Sequence, residues 1–197
     1  MVPIYPYMYR ACAASCGALS TFPIDIIQTS VITQRNVTLR ANEILLMLIM
    51  TNLFAIQNTV FSCTKCIPNI SVRAILASLS ISPFVIFVQI KKYYYRFGMS
   101  PIYKNFIFWT TIREIVFYIT IYNFYKSYKS NIYLSQFFAP LLSNILAYSF
   151  RVLALKKSYI DLNITYKNIF YGSILEILKS SIGDSIALYM IYYHKLS

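Results

Sequence analysis

Apolar residues fall into six long blocks along the chain, and the polar residues gather in the short stretches between them. By hydropathy and run length the blocks cover about 8–34, 44–66, 72–90, 106–125, 134–155 and 169–193. The blocks are continuous rather than alternating, so they read as helices, and each approaches the roughly 20 residues that cross the hydrocarbon core of a bilayer. Only short connections remain between them. The expectation is an all-α, multi-pass membrane domain over 1–197, with no separate soluble unit.

Composition sharpens this reading. Of 197 residues, 58% are apolar and 12% are charged, about half the charged share of an ordinary soluble domain. The net charge of +12 does not imply a nucleic-acid partner, because the basic residues are spread between apolar blocks rather than gathered on one stripe. The partner implied is the lipid bilayer. Connections after the odd blocks hold nine bases: Arg35, Arg40, Lys91, Lys92, Arg96, Lys104, Lys156, Lys157 and Lys167. The termini and the connections after even blocks hold six: Arg10, Lys65, Arg73, Lys126, Lys129 and Lys195. The positive-inside rule then turns the odd-to-even connections toward the inner compartment, with both termini opposite. The start, MVPIYPYMYR, lacks the pattern of a cleavable signal, so insertion is expected to rely on internal segments.

Three segments share a further pattern of small residues, a helix breaker beside an aromatic residue, and more apolar helix. They are Ala11–Asp25 with Pro23, Arg73–Phe87 with Pro83, and Pro140–Ala154, where Ser149 stands in the proline's place. The offsets of 60 and 66 residues give each repeat one odd and one even helix, with bounds of about 1–69, 70–133 and 134–197. Small residues let membrane helices approach closely, and a mid-helix proline is expected to kink its helix. Three unrelated kinked helices are the plainer alternative.

These residues resemble the mitochondrial carrier family. Pro23-Ile24-Asp25 matches the start of its odd-helix motif Pro-x-[Asp/Glu]-x-x-[Lys/Arg], with Gln28 where the base belongs. Phe97-Gly98, then four residues, then Tyr103-Lys104-Asn105 is similar to its [Asp/Glu]-Gly-x4-aromatic-[Lys/Arg]-Gly run. Phe61 to Lys65 and Tyr125 to Lys129 keep the aromatic residue and the base of its even-helix motif but lose the acid. The resemblance implies three tandem two-helix repeats around a pseudo-threefold axis and a central cavity. It also implies transport of a solute, and a place in the mitochondrial inner membrane or the membrane of a related organelle; an adjacent cation and anion such as Arg113 and Glu114 would suit a small anionic or zwitterionic metabolite. Family members are longer, with an amphipathic matrix helix in each repeat. The 20 residues between Pro83 and Tyr103 leave no room for one, so the matrix-side surface helices are expected to be reduced or missing.

Carriers of this kind close their cavity with ion pairs at each end. At the matrix end the matching places hold Asp25, then Val85 and Val88, then Arg151 and Ala154. These residues allow at most one pair there, Asp25–Arg151, and no three-membered ring. At the other end Lys65 and Lys129 meet no acid at the matching positions, and His194 supplies none. Within the blocks lie Asp25, Glu114, Glu176 and Asp184, together with Arg113, Arg151 and Lys179. Ionisable residues at such depth face the interior and mark a pathway by default. By the resemblance, Arg113 and Glu114 occupy the family's substrate-contact pair and Lys179 the contact point of the third repeat. Glu176 and Lys179 are spaced to pair on one helix face. Internal ion pairs that hold the repeats in register are the alternative.

Cys12 and Cys16 lie among alanines and read as small packing residues, while Cys63 and Cys66 sit at the end of the second block; a disulfide or a four-cysteine metal site are the other readings. Aromatic residues at block ends, such as Tyr93–Tyr95, read as interfacial anchors. No phosphate loop or catalytic constellation is legible, so the expectation is a non-enzyme without cofactor or metal. Two functions stay in view: a reduced solute carrier using Arg113, Glu114 and Lys179, and a non-transporting subunit or scaffold of a larger mitochondrial membrane complex.

Overall fold

The computed structural model describes the backbone of residues 4–37, 40–127 and 132–196, and the side chains of 12–37, 40–53, 56–57, 59–124, 126–127, 137–183 and 185–186. Within these residues it is all-helical: α1 Ile4–Thr33, α2 Ala41–Cys63, α3 Ile70–Phe97, α4 Tyr103–Ser127, α5 Ile132–Ser158 and α6 Tyr166–Leu196. Each helix contains one apolar block, because a continuous apolar run satisfies its own backbone only as a helix. The largest difference from expectation is at α3, which runs to Phe97 rather than 90. Lysine and arginine are good helix formers, so the helix continues until Gly98, whose φ of 69° supplies the left-handed cap. At the other end the Asn69 side chain accepts from the Ser71 and Val72 N–H groups at 2.9 and 3.2 Å. The helical assignment continues through Pro23, Pro83 and Pro140.

The principal packing contacts run α1–α2, α2–α3, α3–α4, α4–α5 and α5–α6, and α6 returns to α1. Consecutive helices joined by short connections must run in opposite directions, so the contacts describe a closed ring with α1, α3 and α5 ending at one rim. The connections there, 34–40, 98–102 and 159–165, hold no helix among the described residues. This rim is packed shut by aromatic side chains. Tyr93 meets Phe106 edge-on at 5.9 Å, and Phe97 meets Tyr159 at 5.3 Å. The 98–102 connection is tied to the end of α5 by the Ile102 N–H on the Ser158 carbonyl at 2.8 Å. At the opposite rim Phe61 stacks on Tyr122 at 3.6 Å, and the Arg73 guanidinium lies 4.1 Å from the Phe61 ring.

Small residues close the α6–α1 seam. A side chain at Gly183 would press on Thr21 and the Gly17 carbonyl, and one at Gly172 would collide with the Tyr148 hydroxyl and Ile32. The packed stripe of α1 is Ala13, Gly17 and Thr21, all buried at helical spacing. Cys12 and Cys16 stand about a quarter turn away from it and are exposed. This corrects their reading as packing residues. Cys63 and Cys66 are exposed free thiols as well.

Polar side chains are buried beside the apolar core, and large apolar side chains lie exposed. Gln28, Thr29, Glu43, Gln57 and Ser143 are buried, while Leu45, Phe84, Phe87, Phe108 and Phe170 are exposed. Apolar surface on this scale marks contact with a bilayer or with other protein. Two helices, Ile70–Phe97 and the 137–158 part of α5, are long and apolar enough to cross a membrane by length and composition.

Burial repeats in register along the odd helices. Thr21 and Phe22, Ile81 and Ser82, and Ala147 and Tyr148 are buried; Pro23, Pro83 and Ser149 then face outward. Asp25, Val85 and Arg151 turn inward again, followed by Gln28, Val88 and Ala154. The same side chains that align at offsets of 60 and 66 in sequence thus face the same way in the ring.

Candidate functional site

A cavity of about 230 Å³ lies inside the ring and is lined from all six helices. Asp25 of α1, Met50 of α2, Gln89 and Lys92 of α3, Arg113 and Glu114 of α4, Arg151 of α5 and Lys179 of α6 all face it. The inward turn that follows each outward Pro23, Pro83 or Ser149 carries Asp25, Val85 and Arg151 to this one space.

Ion pairs cover the cavity toward the rim where the odd helices end. The Asp25 carboxylate accepts from Arg96 Nη2 at 2.9 Å and Arg151 Nη2 at 3.0 Å, and forms ion pairs with Lys92 Nζ at 2.7 Å and Lys179 Nζ at 3.5 Å. Glu176 takes Arg151 Nη1 at 3.1 Å and Lys179 Nζ at 2.9 Å. Glu43, in the first turn of α2, takes Arg96 Nε at 2.7 Å. Arg96 also donates to the Thr29 hydroxyl at 2.6 Å, and Arg151 Nε donates to the Tyr93 hydroxyl at 3.2 Å. Three acids and four bases from α1, α2, α3, α5 and α6 therefore form one connected network. A buried charge is tolerable only when paired in this way; losing one partner costs about 3–5 kcal/mol.

Gln28 explains how the network survives without the expected base at that position. Its Nε2 donates to Glu176 at 2.7 Å and to the Gly172 carbonyl at 2.8 Å, and its Oε1 accepts from Arg151 at 2.8 Å. A neutral amide with both donor and acceptor joins two charged groups without adding charge.

Asp25 does pair with Arg151, and Glu176 pairs with Lys179 as spaced. The expectation of Asp25 without further ionic partners is overturned. Lys92 and Arg96, read as bases of a connection, lie in the extended α3 and point inward, and Arg96 is buried. Their signal was the continuation of one face, Val85, Gln89, Lys92 and Arg96, at spacings of three and four. Glu43 had no such signal, because one acid at a helix start reads equally well as a solvated end charge.

Arg113, Glu114 and Lys179 line the same cavity. Arg113 is bonded to the neighbouring Glu114 carboxylate, and Lys179 is held by Glu176 and Asp25. Pro23 and Pro83 face outward and touch no part of the site. The side chains of Asp184 and His194, and all of Lys129, lie outside the described residues. Glu43 Oε1 and Gln89 Oε1 are buried without a hydrogen-bond partner among the described residues. On the rim side, burial pushes the Tyr159 phenol above its usual range. No cluster of three His, Cys, Asp or Glu suited to a metal ion occurs among the described residues.

Comparison with known protein families, with curated proteins and with solved structures yields no match to this chain.

Proposed function

We propose that the protein is a reduced solute carrier of the mitochondrial carrier type. Its six helices cross the bilayer as three tandem two-helix repeats around a pseudo-threefold axis, without matrix surface helices. Its place is the mitochondrial inner membrane or the membrane of a related organelle. One observation carries the reading: a cavity reached by all six helices and covered at one end by ion pairs between helices. Alternating access needs a barrier whose bonds exchange with water or solute as helices part. Ion pairs meet that need, because each partner regains hydration when separated. Arg113 and Lys179 would receive the anionic group of a small metabolite through charge-assisted hydrogen bonds, and Glu114 an ammonium group. A volume of about 230 Å³ restricts the solute to small molecules.

The test is uptake into liposomes holding the purified protein, assayed with labelled small carboxylates and amino acids. Saturable uptake that Arg113→Ala abolishes, in a protein that still folds and inserts, supports the carrier. Normal uptake by Arg113→Ala removes the assigned site.

A second reading has its own support. Arg113 is paired with Glu114, and Lys179 with Glu176 and Asp25, as pins that hold helices in register would be. On this reading the protein is a non-transporting subunit or scaffold of a larger membrane complex. Particle mass after mild detergent extraction separates the two. A particle near 22.9 kDa plus its detergent belt favours the carrier, and co-migration with a far larger assembly favours the subunit.

A further inference from the structure

The ion network under the cavity holds more positive charge than its own acids neutralise. Among the described residues Asp25, Glu43 and Glu176 face Lys92, Arg96, Arg151 and Lys179. Glu43 answers Arg96, and Glu176 is shared by Arg151 and Lys179. Lys92 has only Asp25 as a carboxylate partner among the described residues, and that carboxylate also takes the other three bases. Across the cavity Arg113 and Glu114 cancel each other. Among the described side chains one unit of positive charge is thus left over, and unneutralised charge inside a helix bundle is costly.

The surplus sits where a ligand could reach it. Arg96 is fully covered, whereas the Lys92 and Lys179 side chains are 19% and 18% exposed and line the cavity. They approach opposite oxygens of the same Asp25 carboxylate. A lysine ammonium has three donors. Lys92 keeps donors beyond its one carboxylate contact, and the third partner of Lys179 is the neutral Gln28 Oε1 at 3.4 Å, a long bond that an anion can replace. The Asn144 amide lines the same space.

We propose that the cavity floor binds one small monovalent anion between Lys92 and Lys179, carrying the single charge of a halide or of a carboxylate group. The site shares Lys179 with the solute contact of the carrier reading and deepens that reading; binding itself needs no transport, so failure of uptake and failure of anion binding are distinguishable.

The test is thermal unfolding of the purified protein in neutral detergent, at fixed pH and ionic strength. Chloride and, separately, formate replace a bulky organic sulfonate as counter-ion. The expected result is a saturable rise of about 5 °C with at least one of them. A response to chloride alone identifies a halide site, and one to formate identifies a carboxylate site. Lys92→Met removes the surplus charge and should abolish the rise, while the exposed neighbour Lys91, changed to Met, should retain it. If Lys92→Met does not fold, Lys179→Met removes the same charge and must show the same loss. An equal rise in Lys92→Met overturns the proposal, because the anions then act on other bases. No rise in the unaltered protein overturns it too, the charge being absorbed by proton loss from Lys92, by ionised Tyr93 or by another acid.

Discussion

Arg151 and Asp25 lie 126 residues apart in sequence, yet their side chains meet at 3.0 Å. They occupy the same place in the burial pattern of α5 and α1, on helices that both border α6. The pair is the point where the odd helices are tied to one another, and several predictions turn on it.

Replacing Arg151 with Gln breaks its buried ion pairs to Asp25 and Glu176 and removes the bond to Tyr93. The expected loss is about 3–5 kcal/mol, read as a lower unfolding temperature in detergent. Asp25→Asn should also destabilise. The double variant should lose less than the sum of the two, by about 1–3 kcal/mol. Strict additivity would show that the contact contributes nothing.

Gly172 should not accept a side chain. A Cβ there would collide with the Tyr148 hydroxyl and lie 2.6 Å from Ile32. Gly172→Ala is expected to cost about 1–3 kcal/mol. Tyr148→Phe removes one of the colliding atoms and should recover part of that loss. A fully stable Gly172→Ala protein would contradict the α6–α1 packing.

The outward face of α3 distinguishes lipid from water. Phe84 is 61% exposed. If that face meets hydrocarbon, Phe84→Lys should raise the cost of insertion by about 2.5–3.5 kcal/mol. The observable is loss of the membrane-integrated fraction. Unchanged integration would place the face against water or protein.

The exposed thiols report sidedness. Cys66 follows α2 and Lys104 opens α4, at opposite rims of the ring. In a variant with the other cysteines removed, an impermeant maleimide should reach Cys66 from one side of sealed vesicles. A cysteine replacing Lys104 should be reached only from the other side. Reaction of both from the same side would exclude a crossing α3, the helix that separates them.

The residues that form the site were only partly legible. Asp25, Arg113, Glu114, Arg151, Glu176 and Lys179 announced themselves as charges inside apolar blocks, where the cost of burial makes any ionisable group conspicuous. Lys92 and Arg96 did not, because they follow the apolar run and read as ordinary flanking bases. Gln28 read as a defect in a motif and is instead the amide that joins Glu176 to Arg151.

The sequence by itself determined the helices. Hydropathy is a property of neighbouring residues, and a long apolar run has one economical way to satisfy its backbone. It also determined which way the odd helices face, since helical periodicity sets small and breaking residues against the inward charges. Only the tertiary structure decided the partners. Asp25 bonds to residues 71 and 126 positions away and Gln28 to one 148 away. Those distances close only when α6 packs on α1 and completes the ring. No local pattern encodes that closure, because it depends on how all six helices fit together.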